Sequence, residues 1–82
     1  MNAVIIDDEK NGRDLLSSML ITHCKEVVIV ATAASALEGI KAIQKHSPDL
    51  VFLDIQIPGL SAINVAASLQ AKKMPRKMIL KE

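Results

Sequence analysis

Short apolar runs alternate with longer segments of helical periodicity along this chain of 82 residues. The runs are Ala3–Ile6, Val27–Val30, Leu50–Leu53 and the start of a last one at Met78–Leu80. Runs that are apolar at nearly every position are typical of central strands in a parallel sheet that helices cover on both faces. The order β-α-β-α-β-α-β therefore predicts an α/β fold with a parallel sheet and right-handed crossovers.

Two of the intervening segments are predicted to be helices from their periodicity and capping residues. The first helix is expected over about residues 10–22, where apolar residues at helical spacing give one apolar face. Those residues are Leu15, Leu16, Met19 and Leu20. The second helix follows an expected loop at residues 31–34 and begins at Ser35, with Glu38 as its capping-box partner. Its expected buried stripe is Leu37, Ile40 and Ile43.

The last part of the chain predicts one more helix. Pro58-Gly59 marks a turn, and Ser61 is expected to cap a helix that continues to about Ala71. A basic connection then leads to the last apolar run. We find no internal repeat and no low-complexity segment, so residues 1–82 are expected to form one domain.

The composition restricts the core and the partners of the protein. Half of the residues are hydrophobic, with one Phe and no Trp or Tyr, so the core is expected to be aliphatic. The net charge of +1 gives no indication of nucleic-acid or anionic-membrane binding. The single Cys24 excludes an internal disulfide. No run reaches the roughly 18 apolar residues of a membrane span, and no signal peptide is recognised, so a cytoplasmic location without membrane contact is expected.

Acidic residues follow two of the apolar runs. Asp7 and Asp8 follow the first run, and Asp54 follows the third. If these runs are neighbouring parallel strands, the carboxylates meet at the carboxyl edge of the sheet, where open α/β sheets bind ligands. Clustered carboxylates repel one another and favour a hard divalent cation, usually Mg²⁺. A carboxylate beside Mg²⁺ can accept a phosphoryl group.

Simpler explanations exist for the same acidic residues. Asp7, Asp8 and Glu9 would also suit the start of the first helix as capping residues. Asp54 would also suit a turn before Pro58-Gly59. The apolar run directly before Asp54 predicts an exposed position at the end of a strand. The combination of the acids with the strands before them favours the metal or phosphoacceptor interpretation.

Two motifs resemble those of response-regulator receiver domains. The segment Val4–Glu9, with sequence VIIDDE, is similar to the opening of such domains. The segment Pro48–Gly59, with sequence PDLVFLDIQIPG, is similar to their phosphoacceptor strand and the loop after it. The resemblance covers nearly the whole chain and implies a flavodoxin-like, three-layer αβα fold.

The resemblance also implies a role for each matching residue. Asp54 would accept a phosphoryl group from a histidine kinase in a two-component system, which makes the domain a signalling module and not an enzyme. Asp8 and Asp54 would bind Mg²⁺ directly, and Asp7 would act on it mainly through water. Gln56 would offer its backbone carbonyl as a further ligand.

The chain also departs from the family pattern. Receivers have five βα units, whereas this sequence holds three and part of a fourth strand. Lys81 and Glu82 stand near the place of the family's switch Ser or Thr, and the Lys after the fifth strand is missing. These departures predict a truncated receiver with impaired switching. The alternative is a structural module that forms homo-oligomers through an exposed sheet edge or apolar face. A phosphohydrolase is disfavoured because Asp54-Ile55-Gln56 lacks the second acid of an Asp-x-Asp motif.

Overall fold

Strands and helices alternate along the computed structural model, which describes residues 1–54 and 75–81. The third expected helix, the Pro58-Gly59 turn and Gln56 lie outside the described residues. The elements are β1 (Asn2–Ile6), α1 (Lys10–His23), β2 (Val28–Ala33), α2 (Ala36–His46), β3 (Leu50–Asp54) and β4 (Lys77–Lys81). The boundaries predicted for the first strand and first helix are confirmed to within one residue.

The four described strands form one parallel sheet in the order β2-β1-β3-β4. β1 therefore has β2 on one side and β3 on the other, so the chain reverses its direction of winding at the β1/β3 boundary. This is the strand order of flavodoxin-like folds, in which ligands bind beside that boundary. The predicted α/β class and the predicted pairing of the first and third runs are confirmed.

The two described helices lie on opposite faces of the sheet. Ile43 of α2 is fully buried in a cluster with Val4 and Val51, which are neighbours in the sheet. Successive strand residues point to opposite faces, so Ile5 and Phe52 face away from α2. Leu16 of α1 lines a groove with both of these side chains, which places α1 on the second face. The sheet is thus the middle of three layers.

Helix α2 begins and ends with local hydrogen bonds. The Ser35 Oγ accepts a hydrogen bond from the Glu38 backbone N–H at 3.2 Å, as the sequence predicts. The Glu38 carboxylate accepts a hydrogen bond from the Ala34 backbone N–H at 3.1 Å, one residue before the expected partner. At the other end, Ser47 has a φ of 44° and donates its N–H to the Ile43 carbonyl at 2.8 Å.

Two details of the sequence analysis were wrong. Residues 31–33 are strand and not loop, because they pair with residues 4–6 of β1 in register. Leu37 is 63% exposed, because α2 turns the small residues Ala36 and Gly39 toward the sheet. In α1, Leu15 and Met19 are exposed and Leu20 is buried, so only part of the expected apolar face is covered.

Asp49 joins the starts of three strands at the amino edge of the sheet. Its Oδ2 accepts a hydrogen bond from the Asn2 N–H at 3.1 Å. Its N–H donates to the Asn2 carbonyl at 2.9 Å, and its carbonyl accepts from the Lys77 N–H at 3.1 Å. These bonds fix the relative register of β1, β3 and β4.

Candidate functional site

The strand register brings the acidic residues together at the carboxyl edge of the sheet. Ile6 pairs with Leu53, so Asp7 and Asp54 follow equivalent positions on neighbouring strands. Carboxylate oxygens of Asp7, Asp8 and Asp54 all lie within 4.8 Å of one another. The cluster that the sequence predicts is therefore present in the fold, at the β1/β3 boundary.

The three side chains differ in their exposure to solvent. Asp7 and Asp54 are buried, with 4% and 6% of their surfaces exposed, whereas Asp8 is exposed. The apolar strand before Asp54 suggested an exposed strand end, and the burial of this residue corrects that expectation. The cluster thus combines two buried carboxylates with one exposed carboxylate.

The turn after β1 is fixed by hydrogen bonds around Asp7. Its N–H donates to the Ala33 carbonyl of β2 at 3.0 Å, and its Oδ1 accepts from the Glu9 N–H at 2.9 Å. Glu9 is the N-cap residue of α1, and its side chain forms no capping hydrogen bond. The Glu9 side chain thus does not cap helix α1. This removes part of the support for the interpretation that these acidic residues are only helix caps.

Arg13 contacts this turn and was missed by the sequence analysis. Its Nη1 donates a hydrogen bond to the Asp7 backbone carbonyl at 2.8 Å. The available sequence signal was weak, because an arginine in the first turns of a helix usually faces solvent. Only its spacing of six residues from Asp7 indicated that it can reach back to the strand end.

An open groove leads to the buried carboxylates. It has a volume of about 310 Å³, and Asp7 and Asp54 contribute its polar end. Its remaining lining is apolar and comes from β1, α1, β3 and β4: Ile5, Ile6, Leu16, Phe52, Leu53, Ile79 and Leu80. The groove leaves space beside Asp54 for a group larger than a water molecule.

The donor set fits a hard divalent cation. Carboxylate oxygens are the ligands that Mg²⁺ prefers, and it usually takes one or two of them and keeps several water molecules. The spacing within 4.8 Å allows one ion to contact two of these carboxylates and reach the third through water. Gln56, the remaining expected ligand, lies outside the described residues.

Within the described ranges 1–54 and 75–81, neither helix has the length and apolar character that crossing a bilayer demands.

Relatives with known sequences share most of this chain. An uncharacterized response regulatory protein of Vibrio cholerae is 37% identical over 75 residues, and one of Yersinia pestis is 40% identical over 75 residues. Both matches cover 92% of this chain and 31% of the relative. A protein-glutamate methylesterase/protein-glutamine glutaminase of Nitratidesulfovibrio vulgaris is 34% identical over 80 residues, with 98% of this chain and 21% of that protein covered. The chain thus spans about a third or less of the length of these relatives.

A solved structure and a family pattern agree with these relatives. The crystal structure of the N-terminal domain of an uncharacterized Wolinella succinogenes protein superposes with a TM-score of 0.75 at 25% identity, over 98% of this chain and 63% of that one. The sequence pattern described as "Response regulator receiver domain" matches residues 3–80. The strand order, the acidic cluster at the β1/β3 boundary and these matches lead to one conclusion: this chain belongs to the response regulator receiver domain family.

Proposed function

We propose that this domain is the phosphoacceptor of a two-component signalling system and that Asp54 receives a phosphoryl group from a histidine kinase. The observation that carries the proposal is the meeting of Asp7, Asp8 and Asp54 within 4.8 Å at the β1/β3 boundary. Asp54 ends β3 and borders the open groove, so its carboxylate is fixed by the sheet and approachable from one side. A fixed carboxylate is a suitable nucleophile for phosphoryl transfer.

The transfer step is a simple displacement. A carboxylate oxygen of Asp54 forms a bond to phosphorus while the P–N bond of a phosphohistidine breaks. The imidazole leaves with the electron pair of that bond, and the product is an acyl phosphate on Asp54. Positioning and charge compensation supply most of the catalysis in such transfers, so the sheet edge contributes mainly by holding Asp54 in place.

Mg²⁺ is the proposed cofactor of this site. When bound, it offsets the negative charge of the carboxylates and of the transferring phosphoryl group. We assign direct contacts to Asp8 and Asp54, a contact through water to Asp7, and a backbone carbonyl contact to Gln56. The support for this assignment is the mutual spacing of the three carboxylates and their hard oxygen donors.

Beryllofluoride, which mimics a phosphoryl group on a carboxylate, tests the proposal. We expect Mg²⁺ and beryllofluoride together to shift the backbone amide NMR signals of residues near Asp54 in the wild-type protein. Asp54→Asn should abolish the shifts. Asp14→Asn is the matched control, because Asp14 is an exposed carboxylate on α1 that pairs with Lys10. Wild-type signals that do not respond to the two reagents would refute the proposal.

Receiver membership makes a histidine kinase the proposed phosphodonor and the cytoplasm the proposed location. The esterase and glutaminase activities named for the Nitratidesulfovibrio relative are those of a protein of which this chain spans 21%. For this domain we propose a signalling role without an enzymatic activity of its own.

A second role is favoured by the edge of the sheet. In the described part of the chain β4 has β3 as its one strand neighbour, and its residues Ile79 and Leu80 are exposed. Edge strands with apolar side chains tend to pair with other chains. We therefore propose that two copies associate through β4.

Light scattering tests the proposed association. At micromolar concentration we expect a dimer, and Leu80→Lys should convert it to a monomer because a charge on the edge strand opposes pairing. Leu37→Lys is the matched control, since Leu37 is an equally apolar and exposed residue on α2. A wild-type protein that is monomeric throughout this concentration range would contradict the proposal.

A further inference from the structure

Arg13 reaches from α1 to the end of β1 and contacts the backbone of the acidic turn. The hydrogen bonds of Asp7 include three that fix this turn. Its N–H donates to the Ala33 carbonyl at 3.0 Å, its carbonyl accepts from the Arg13 guanidinium at 2.8 Å, and its Oδ1 accepts from the Glu9 N–H at 2.9 Å. Residues of β2 and α1 therefore hold the backbone on both sides of the Asp7 Cα atom. This turn carries Asp7 and Asp8, two of the three clustered carboxylates.

The backbone of Arg13 is itself part of the same connection. Its N–H donates to the Glu9 carbonyl at 3.1 Å, which is the first hydrogen bond of helix α1. The guanidinium of the same residue donates to the Asp7 carbonyl, so the main chain and the side chain of Arg13 both bond to the segment between β1 and α1. The bond is partly buried, and water therefore competes with it less than at an open surface.

The positive charge of Arg13 by itself disfavours the binding of a cation at the acidic cluster. A guanidinium beside clustered carboxylates repels Mg²⁺, so a purely electrostatic role for Arg13 would weaken metal binding. A favourable contribution to the site must therefore come from geometry. We propose that Arg13 is a positioning residue that holds the Asp7-Asp8 turn in the conformation in which both carboxylates face Asp54, an inference that rests on the proposed function of this cluster.

The charge of Arg13 should weaken Mg²⁺ binding, whereas its positioning of the turn should strengthen it. Substitution of Arg13 therefore distinguishes the two roles. Arg13→Met removes the donor and the charge, and we expect it to weaken Mg²⁺ binding by about tenfold, as is common for residues that orient metal ligands. Arg13→Lys keeps the positive charge and a hydrogen-bond donor group, and it should recover part of the affinity. Lys10→Met is the matched control, because it removes a positive charge from the same turn of α1 at a side chain that is 79% exposed. It should leave the affinity unchanged or slightly increase it.

A measurement on the metal-free protein separates this inference from the proposed function. Hydrogen exchange of the Glu9 amide, which donates to Asp7 Oδ1, reports on the turn directly. We expect Arg13→Met to accelerate this exchange by about tenfold or more and Lys10→Met to leave it unchanged, since only the former loosens the turn. A wild-type protein that fails to bind Mg²⁺ overturns the proposed function, whereas the exchange comparison still decides the role of Arg13.

Two results would overturn the positioning role. One is an Arg13→Met protein that binds Mg²⁺ as tightly as the wild type or more tightly. The other is unchanged exchange of the Glu9 amide in that variant. If Arg13→Met does not fold, Arg13→Gln replaces it in both comparisons, because glutamine removes the charge and keeps a shorter N–H donor. Weaker Mg²⁺ binding caused by general unfolding is excluded by requiring a wild-type far-ultraviolet circular dichroism spectrum of each variant.

Discussion

Gly39 lies so close to Ile6 that a Cβ atom at Gly39 would be 2.6 Å from Cδ1 of the isoleucine. Ile6 is the last residue of β1, it is fully buried, and it directly precedes Asp7. The missing side chain at Gly39 thus lets the backbone of α2 rest on the strand end that carries the acidic turn. Packing on one face of the sheet is therefore coupled to the position of the site at its edge.

Gly39→Ala is expected to destabilise the protein in spite of the higher helix propensity of alanine. Propensity alone would favour the change by up to about 1 kcal/mol. Overpacking against a buried side chain costs about 1–3 kcal/mol, and the surrounding core leaves Ile6 little room to move. The free energy of unfolding, measured by urea titration, should fall.

A double-mutant cycle isolates the contact between these two residues. Ile6→Val removes the Cδ1 atom that the new methyl group would meet at 2.6 Å. Gly39→Ala should therefore be less destabilising in the Ile6→Val background than in the wild type, with a coupling of about 0.5 kcal/mol or more. Additive effects of the two substitutions would show that the close approach has no energetic consequence.

Ser35→Ala should shorten or loosen the start of α2. The Ser35 hydroxyl accepts the Glu38 N–H at 3.2 Å, and loss of such a cap typically costs about 1 kcal/mol. Ser35→Asp should retain the cap and the stability. Ser18→Ala, an exposed position within α1, is the control and should be neutral or slightly stabilising. Equal unfolding midpoints for Ser35→Ala and Ser18→Ala would contradict this assignment.

Asp49→Ala should weaken the amino edge of the sheet. The substitution leaves the Asn2 N–H without its carboxylate acceptor, and we expect a loss of about 0.5–1.5 kcal/mol in unfolding free energy. Asp49→Asn keeps an acceptor oxygen and should lose less.

The ion pair of Asp49 serves as an internal control for that prediction. Arg76 lies 3.9 Å from the other carboxylate oxygen and its side chain is 88% exposed, so this pair is expected to contribute little. Arg76→Met should change the unfolding free energy by less than about 0.5 kcal/mol. A larger effect for Arg76→Met than for Asp49→Ala would show that the ion pair, and not the bond to Asn2, is the important contact.

The acidic cluster could be predicted because the pairing of two parallel strands determines which residues lie side by side at their ends. Apolar runs of similar length, paired side by side, must bring the residues that follow them to one edge. The positions of Asp7 and Asp54 could therefore be predicted from the ends of those runs alone. The cap at Ser35 was predictable for a related reason, since its hydrogen bond joins residues only three positions apart.

The residues that were missed depend on contacts between distant elements. Periodicity favoured Leu37 as a buried position of α2, but the helix instead packs through Gly39, where the missing side chain allows close approach to Ile6. Arg13 was missed because its partner is a backbone carbonyl, and every residue has one. Sequence patterns identify which side chains are apolar or acidic, whereas these two contacts depend on how closely a helix approaches a strand.

Mg²⁺ is expected to stabilise the wild-type protein against unfolding through the acidic cluster. A ligand that binds only the folded state at a hundredfold excess over its dissociation constant adds about 2.7 kcal/mol to the unfolding free energy. Asp8→Asn should lose most of this increment, because it removes the exposed carboxylate that lies within 4.8 Å of Asp7 and Asp54.

The metal-free protein should respond to Asp8→Asn in the opposite direction. Without a cation the clustered carboxylates repel one another, so removal of one negative charge should leave the stability equal or higher. Asp14→Asn removes another exposed carboxylate, which lies outside the cluster and is paired with Lys10 at 3.1 Å, so it should keep the full Mg²⁺ increment. Thermal unfolding of the three proteins with and without Mg²⁺ measures both effects. The same increment in Asp8→Asn as in the wild type would mean that the metal stabilises the protein at some other place.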